Sequence, residues 1–513
     1  MHPTPHSRFI NQKIRQSIQT FPKFWNWRFF IAKNDQKIKQ GSAKMSANRF
    51  KAPILTNDKP ATNRQMNRQL HARHLQLLSI GGVIGAGFFL GAGRTISLAG
   101  TSVLIVYALV GLFVFLVMRA MGELLLSDLN FRSFIDVIDR YLGRGASFVV
   151  GWSYWLCWLI IAIANTVAMT GYMQFWYPDI ALWLPATLNI ALIVFVNLLS
   201  VKWFGEVESY LTLIKVITMF IIIGAGLFLL ITGAKVGEYR ADIGNLFNPQ
   251  NFMPQGLAGF FAAFQLAVQA NAGAELVGTA SSETNNPKEN LPKAINQIPL
   301  RVAIFFVGSL AVILAIIPLT DIQVGISPFV QLFGLLGFGA VAGVINFVAL
   351  SAGVSSANSG LYSASRMVYG LSKQGNAPKV FEKLNKKGVP VYGVLYSALY
   401  LALCFILLYG ADNVVQAFVL ISTVSSVCFI LIWAVILLAY LRYRKTAPHL
   451  HQTSSYKMPY GKALSYLTLV FFVWVLYLFS QNPDTVKGLA FVPVWVLGLW
   501  GVYMGWIKHQ SIS

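Results

Sequence analysis

Four glycines interrupt an apolar stretch around residue 85. They lie within seven residues of one another: Gly81, Gly82, Gly85 and Gly87. A helix that begins at such a break presents unpaired backbone N–H groups and the positive end of its dipole, and these groups bind a carboxylate without Arg or Lys. The alternative is close helix packing, since Gly87 and Gly91 have GxxxG spacing. We favour the anion site, because four glycines followed by Phe88 and Phe89 exceed what packing requires.

A second apolar stretch carries polar residues at its middle, in the order Gln269-Ala-Asn271-Ala-Gly273-Ala-Glu275. These groups fall on several faces of a helix, which a regular lipid-facing helix does not tolerate, so the helix is expected to unwind there. Carbonyl oxygens freed near Asn271, Ala272 and Gly273 would accept hydrogen bonds from an ammonium group. A carboxylate site and an ammonium site together suit a zwitterion, which indicates an amino acid.

Two ionisable residues, Lys215 and Glu275, lie inside apolar segments. Each would cost roughly 2.5 to 3.5 kcal/mol at the centre of a membrane helix, so such residues usually have a function. Both lie seven residues from the predicted cytoplasmic end of their segment, a depth of roughly 10 Å, so we expect them to be near one another. Two interpretations remain open: a fixed structural ion pair, or a proton-coupling pair in which Lys215 bridges spans 1 and 5 in place of a bound sodium ion.

Other polar residues give weaker signals. We expect Asn165 to line the cavity, and we interpret the serines of a polar cluster in span 8 as packing residues, because Ser and Asn join membrane helices by hydrogen bonds. The cluster consists of Ser351, Ser355, Ser356, Asn358 and Ser359. Four histidines are interpreted as solvated and not as metal ligands: His71, His74, His449 and His451. Three cysteines without metal or CxxC spacing are interpreted as packing residues: Cys157, Cys404 and Cys428.

The elements that position these residues are membrane helices. Of the 513 residues, 56% are hydrophobic and only 11% are charged, which is typical of a polytopic membrane protein. Windows of about 20 residues predict about twelve transmembrane helices. The predicted spans are Leu75 to Ile96, Thr101 to Gly122, Ala146 to Phe175, Leu182 to Ser200, Glu208 to Gly233, Leu257 to Ser282, Val302 to Leu319, Val330 to Leu371, Tyr392 to Tyr409, Val414 to Tyr440, Leu464 to Phe479 and Leu489 to Trp506. Span 8 is too long for one crossing, so we expect it to include a short outer helix.

The spacing of the two interrupted spans predicts an inverted repeat. Spans 1 and 6 are five helices apart, and both are broken at mid-depth, as in folds where two discontinuous helices face each other at the bilayer midplane. We therefore predict an all-α polytopic membrane protein with a 5+5 inverted repeat, in which helices 1 and 6 are discontinuous and spans 11 and 12 lie outside the repeats.

The net charge of +22 is distributed by topology. Lys and Arg concentrate before span 1 and after spans 2, 6, 8 and 10, which the positive-inside rule assigns to the cytoplasm. Both termini are therefore predicted to be cytoplasmic, the lipid bilayer is the expected surroundings, and nucleic-acid binding is disfavoured.

The chain divides into three predicted regions. Residues 1–69 are basic and poor in acidic residues, with only Asp35 and Asp58, and are predicted to be a disordered cytoplasmic extension. Translation starts at Met1 or, in the interpretation we favour, at Met45. Residues 70–508 form the transmembrane domain, and residues 509–513 form a cytoplasmic tail.

Several motifs at matching intervals from about Leu70 to Trp506 resemble the amino acid/polyamine/organocation permeases. They are the Gly81 to Gly87 break, Met121-Gly-Glu-Leu124, Ile214-Lys215, Glu275-Leu-Val-Gly278, Glu283 with Pro287 and Pro292, and Asn358-Ser-Gly-Leu-Tyr-Ser-Ala-Ser-Arg366. Within that family the chain looks most like the bacterial D-serine/D-alanine/glycine permeases. This likeness rests on Arg94-Thr-Ile-Ser-Leu-Ala-Gly100, Met118-Arg-Ala-Met121, Gln174-Phe-Trp176 and Tyr456-Lys-Met-Pro459.

The resemblance implies proton-coupled uptake of small neutral amino acids (glycine, alanine and serine, including D-isomers) across the cytoplasmic (inner) membrane of a bacterium, without a cofactor. It implies that the substrate carboxylate lies at Gly85, Ala86 and Gly87, the amine near the span 6 break, and the coupling role at Lys215. Family members usually have aromatic residues just before the glycine of the span 6 break, and this chain has Gln269 and Asn271 instead.

Three other functions were weighed against symport. An amino acid exchanger is the main alternative, and a membrane sensor that binds an amino acid without moving it is a second one. An enzyme is disfavoured because the sequence contains no HExxH motif, no nucleophile elbow and no paired catalytic carboxylates.

Overall fold

The computed structural model describes residues 85–131, 133–199, 201–236, 239–279, 286–335, 339–411 and 413–507. Within these residues the regular secondary structure is helical apart from two short antiparallel strands, Lys235–Val236 and Tyr239–Arg240. Nine helices of the described part are long and apolar enough to cross a membrane, and the apolar helix Trp183–Leu199 is shorter. The predicted all-helical class is confirmed. The predicted extension 1–69, Gly82, His71, His74 and the tail 509–513 lie outside the described residues.

The helices keep the numbers of the predicted spans. In the described part of the chain, eight spans are single helices: span 2 Val103–Ser127, span 3 Arg144–Gln174, span 4 Trp183–Leu199, span 5 Val201–Thr232, span 8 Gly339–Lys373, span 10 Val414–Thr446, span 11 Gly461–Ser480 and span 12 Pro483–Val502. Three spans consist of two described helices each: span 1 Ala86–Phe89 and Gly91–Ala99, span 6 Gly256–Asn271 and Leu276–Thr279, and span 9 Val391–Leu401 and Leu403–Gly410. Span 7 consists of Ile298–Arg301, the π-helical segment Val302–Gly308 and Ser309–Ile316. Shorter helices lie between them: Phe134–Leu142, Pro287–Asn296, Pro328–Leu335 and Pro448–Thr453.

Span 5 begins earlier than predicted. Its helix starts at Val201, seven residues before the predicted start at Glu208. Charged residues such as Lys202 extend a helix at a membrane edge, because the helix satisfies its own backbone while long side chains reach water. Lys215 therefore lies about 21 Å along this helix from its first residue, and its depth of about 10 Å in the membrane stays a prediction. The expected division of span 8 is confirmed, since the short helix Pro328–Leu335 precedes Gly339–Lys373.

Span 6 is interrupted where the polar residues predicted it. Its first helix ends at Asn271, Ala272 is extended, and Gly273 has φ of +105°, which strongly favours glycine. The chain becomes helical again at Leu276. The turn is closed by bonds from the Leu276 amide to the Gly273 carbonyl (3.1 Å) and from the Gly278 amide to the Glu275 carbonyl (2.8 Å).

The described part of span 1 begins at Gly85. The amides of Phe88 and Phe89 both donate to the Gly85 carbonyl, at 3.1 and 3.3 Å, and start the short helix Ala86–Phe89. By the geometry of a helix start, the N–H groups of Ala86 and Gly87 have no acceptor within that helix.

Span 3 is central to the packing around both breaks. Spans 8 and 10 pack along it, while span 6 packs against spans 1, 2 and 10. A methyl group on Gly360 of span 8 would lie 2.7 Å from the carbonyl oxygen of Trp158, so glycine is needed for the close contact with span 3. Cys157, Cys404 and Cys428 are buried, as predicted for packing residues.

Candidate functional site

Three helices converge at Gly85, where the described part of span 1 begins. A methyl group on Gly85 would lie 2.6 Å from the hydroxyl oxygen of Ser356 and 3.3 Å from the side-chain oxygen of Asn165. Ser356 belongs to span 8 and Asn165 to span 3, and both are buried. Asn165 is held by a bond of 2.7 Å from its amide nitrogen to the Ile161 carbonyl. The structure thus brings two of the predicted site residues together and adds Ser356, which was interpreted as a packing residue.

The polar residues before the span 6 break are tied to protein groups. The side-chain oxygen of Gln269 accepts a hydrogen bond from the Ser425 hydroxyl of span 10. The side-chain amide of Asn271 donates to the Ala267 carbonyl one turn earlier, at 2.9 Å. Both side chains are buried. Gln269 is therefore anchored to span 10, at a position where family members were expected to have an aromatic residue.

The carboxylate of Glu275 binds the break in its own helix. Both carboxylate oxygens accept from the Gly273 amide, each at 3.2 Å, and the side chain is fully buried. The structure ties Glu275 to the break in span 6 and Lys215 to Ser355 of span 8, and the pairing of Glu275 with Lys215 stays a prediction.

Lys215 instead belongs to a polar cluster that joins spans 4, 5 and 8. Its ammonium group donates to the Ser355 hydroxyl at 2.8 Å, and that hydroxyl donates to the carboxylate of Glu208. The amide of Asn358 donates to the other carboxylate oxygen at 3.4 Å, and its own oxygen accepts from Asn197 at 2.8 Å. All five side chains are buried. We call this set, Lys215, Ser355, Glu208, Asn358 and Asn197, the span 5 cluster.

Glu208 and the bridging role of Ser355 were missed from the sequence. Glu208 was taken as the membrane edge of span 5, where a carboxylate needs no partner. The available signal was its spacing, because residues seven apart lie on the same face of a helix and Glu208 precedes Lys215 by two turns. Ser355 gave no signal of its own among many serines in span 8.

A cavity of about 840 Å³ reaches span 1 from one end of the helix bundle. We call it the vestibule; residues that line it include Leu90, Arg94, Tyr172, Asn346, Val419 and Lys487. Leu90 lies five residues after Gly85, so the vestibule approaches the break in span 1. The side-chain amide of Asn346 donates to the Tyr172 carbonyl at 2.8 Å and joins spans 3 and 8 at this wall.

At the end of the bundle away from the vestibule, spans 2 and 10 meet at a buried carboxylate. Glu123 of span 2 accepts from the Tyr440 hydroxyl at 2.9 Å and from the Met458 amide at 2.8 Å, and its other oxygen lies 2.5 Å from Nδ1 of His451. We call these four residues the latch. His451 was interpreted as solvated, which was wrong, since its partner lies 328 residues away in the sequence.

A second contact reinforces the latch. The guanidinium of Arg119 lies over the Tyr456 ring at 3.9 Å and donates to the Asn296 side chain at 2.9 Å. The Tyr456 hydroxyl donates to the same Asn296 oxygen at 3.0 Å. Burial raises the pKa of Tyr456, which keeps this hydroxyl a neutral donor. Span 2 therefore holds both the segment before span 7 and the segment before span 11.

Comparison with known proteins identifies the family of this helical chain. A family model described as amino acid permease matches residues 74–508. The chain belongs to the amino acid permease family. The permease is accordingly a multi-pass membrane transporter of amino acids and not an enzyme.

Three relatives illustrate the range of the family. The permease is 44% identical over 455 residues to the D-serine/D-alanine/glycine transporter of Escherichia coli strain K12, covering 88% of this chain and 96% of that protein. It is 42% identical over 431 residues to the amino-acid permease AapA of Bacillus subtilis strain 168, covering 84% and 93%. It is 37% identical over 435 residues to the aromatic amino acid transport protein AroP of Escherichia coli O6:H1, covering 85% and 94%. Each of the three alignments covers between 84% and 88% of the chain.

Proposed function

We propose that this permease is a proton symporter that imports small neutral amino acids: glycine, alanine and serine, including the D-isomers. The observation that carries the coupling is the fully buried ammonium group of Lys215, hydrogen-bonded within the span 5 cluster. Burial disfavours the charged form of a lysine, so a buried ammonium group gives up its proton more readily than an exposed one. One proton is enough for accumulation, since a membrane potential supplies about 2.3 kcal/mol per charge per 100 mV.

The substrate would be held between the two breaks. Its carboxylate would meet the backbone amides of Gly82, Gly85, Ala86 and Gly87, with Asn165 and Ser356 beside them. This is supported by the helix start at Ala86, whose first amides have no acceptor within that helix, and by the nearness of both side chains to Gly85. The substrate amine would meet the span 6 break at Gln269, Asn271, Ala272 and Gly273. Glu275 would join Lys215 in proton coupling, from its position on the Gly273 amide.

Two observations support small substrates. The relative with 44% identity is named as a D-serine/D-alanine/glycine transporter. In addition, Gln269 is hydrogen-bonded to Ser425 at the position where an aromatic lid was expected, which leaves no large ring there to stack on an aromatic substrate. Glycine, alanine and serine need no such ring.

The proposed setting is the cytoplasmic membrane of a bacterium. Twelve helices would cross it as two inverted repeats of five, with spans 11 and 12 outside them and both termini in the cytoplasm. The charge distribution supports this orientation, and the two interrupted helices five spans apart support the repeat. Residues 70–508 would form the transport domain, between the extension 1–69 and the tail 509–513.

The test is uptake of labelled glycine by proteoliposomes that contain the purified permease. An imposed inward proton gradient is expected to drive accumulation, and an uncoupler is expected to abolish it. Accumulation that persists after the gradient has collapsed would contradict symport and leave exchange as the mechanism. A panel of L- and D-amino acids then defines specificity; strong competition by D-alanine and D-serine with little from phenylalanine is the expected result.

Counterflow separates a transporter from a sensor. Vesicles preloaded with unlabelled glycine are expected to take up labelled glycine transiently, whereas a protein that only binds glycine gives no counterflow. A Lys215→Ala variant is expected to lose the dependence of uptake on external pH. Retention of the full pH dependence by that variant would contradict the coupling role of Lys215.

A further inference from the structure

The span 5 cluster connects two ionisable groups through one hydroxyl. Lys215 donates to Ser355, and Ser355 donates to Glu208, so both hydrogen bonds point from Lys215 towards Glu208. Such a series of donors and acceptors is the arrangement that carries a proton from one end to the other. We propose that Glu208 is the proton acceptor of this permease and that Ser355 relays the proton to it from Lys215; the inference rests on the proposed proton symport.

The transfer balances without another reactant. An N–H bond of the Lys215 ammonium breaks as a new O–H bond forms on Ser355. The original O–H bond of Ser355 breaks as an O–H bond forms on the Glu208 carboxylate. Lys215 becomes a neutral amine, Glu208 becomes a neutral acid, and Ser355 is unchanged. The net charge of the buried cluster is the same before and after.

Burial makes this exchange feasible. Lys215, Ser355 and Glu208 are fully buried. Removing two ions from water costs several kcal/mol for each, and their attraction compensates only in good geometry. The charged pair and the neutral pair are therefore closer in free energy than they would be in water. The Ser355 hydroxyl connects the two groups, since the ammonium donates to it and it donates to the carboxylate.

Asn358 and Asn197 orient the acceptor. Asn358 binds one carboxylate oxygen of Glu208 and leaves the other to Ser355. Asn197 of span 4 fixes Asn358 in turn. Glu208 is thus faced by Lys215 from its own helix, by Ser355, Asn358 and Ser359 from span 8, and by the Asn197–Asn358 pair from span 4.

The path leads toward the start of span 5. Glu208 precedes Lys215 by seven residues, which displaces the acceptor by about 10 Å along the helix. In the proposed orientation that end of span 5 is cytoplasmic, so the proton moves inward. One turn further on both helices, Phe204 and Tyr362 stack with ring centroids 3.8 Å apart. This aromatic pair lies between Glu208 and the end of the bundle, where it would delay release of the proton.

The test compares coupled transport with exchange in proteoliposomes. Glu208→Gln keeps the shape of the side chain and one acceptor oxygen for the Ser355 hydroxyl, but it loses the acceptor for the Asn358 amide and does not accept a proton. We expect this variant to lose glycine-driven proton entry, followed with a trapped pH dye, by at least about tenfold. Counterflow of glycine needs no net proton movement, and we expect it to stay within about threefold of the unmodified permease. Thermal unfolding in detergent should be similar for both proteins.

Ser355 provides the matched series. Ser355→Ala is expected to uncouple transport as Glu208→Gln does. Ser355→Thr is expected to remain coupled, because it keeps the hydroxyl. Ser351→Ala is the control, because the Ser351 hydroxyl bonds to the Val348 carbonyl of its own helix at 2.8 Å. This control should couple normally.

The outcomes separate the inference from the proposed function. Absence of glycine-driven proton entry in the unmodified permease would refute the symport itself. Normal coupling in Glu208→Gln or in Ser355→Ala, while the unmodified permease is coupled, would overturn the relay alone. Loss of both coupling and counterflow in a folded Glu208→Gln would also overturn it, since the carboxylate would then serve binding and not proton transfer.

Discussion

The two ends of the span 10 helix lie in opposite surroundings. Val419, near its start, lines the vestibule of about 840 Å³, whereas Tyr440, near its end, donates to the buried Glu123 of the latch. The helical rise between these residues is about 32 Å, roughly the thickness of the hydrocarbon core. One helix therefore passes from an open end of the bundle to a closed one.

The difference shows how the closed end is held. Span 2 and the segments before spans 7 and 11 are joined there by hydrogen bonds that converge on Glu123 and Asn296. Such bonds are directional, and a buried donor that loses its acceptor costs about 1–3 kcal/mol, so the latch is either formed or broken. At the vestibule, the hydrogen bond from Asn346 to the Tyr172 carbonyl joins spans 3 and 8 beside an open cavity. We infer that substrate enters from the vestibule and that release requires the latch to open.

The largest change at the closed end is expected from Glu123→Ala. The Tyr440 hydroxyl and the Met458 amide would lose their acceptor, so we expect the free energy of unfolding to fall by about 3 kcal/mol or more. A cysteine introduced at buried position 458 (M458C) should react faster with a thiol reagent in this background. The measurements are thermal unfolding in detergent and the labelling rate. Unchanged values for both would show that the latch does not close this end.

Gly85→Ala tests the site between the two ends. The added methyl group would lie 2.6 Å from the Ser356 hydroxyl, so span 1 or span 8 must shift. Crowding of this kind costs about 1–3 kcal/mol, and we expect KM for glycine to rise by about tenfold. Combining it with Ser356→Gly should recover part of the loss. A double variant no better than Gly85→Ala would exclude crowding as the cause.

His451→Ala should weaken the latch less than Glu123→Ala does. The carboxylate keeps its bonds from Tyr440 and Met458 and loses only the contact with Nδ1 of His451, whose side chain is 19% exposed. We expect a loss of about 1–2 kcal/mol in unfolding free energy. His449→Ala, which removes the nearby histidine outside the latch, serves as the control. Equal losses for both variants would contradict a specific role for His451.

The smallest effect is expected at the vestibule. Replacing two cations of its lining, Arg94→Gln with Lys487→Gln, should lower the free energy of unfolding less than the latch variants do, because neither belongs to the latch or to the span 5 cluster. A zwitterion carries no net charge for these cations to attract, so uptake at low salt should change by no more than about threefold, and by less at high salt. A larger loss that salt does not reduce would indicate direct contact with the substrate.

The sequence predicted what depends on local chemistry. Polar residues and Gly273 in an apolar span predicted an interrupted helix, since backbone at membrane depth must be satisfied locally, and the structure has this break. Asn165 was also selected as a polar residue in an apolar span, and the structure places its side chain beside Gly85.

Contacts between segments that are far apart in the sequence could not be predicted from it. The latch joins residues 328 positions apart, and a histidine in a polar loop looks like any solvated histidine. The place of Lys215 in the span 5 cluster was missed for a different reason. Hydropathy places the end of a span where charges begin, but the span 5 helix continues through them, so Glu208 was assigned to the surface instead of the interior.

The bridge at Ser355 has a mechanical consequence. Lys215 and Glu208 belong to one rigid helix, so their separation stays constant when span 5 moves as a unit. Ser355 belongs to span 8, and a small sliding of span 8 against span 5 separates its hydroxyl from both partners at once. The amine and the acid are then connected only when the two helices are in one register. The Ser355 hydroxyl would pass a proton only in that register, so that proton transfer would depend on the relative position of spans 5 and 8.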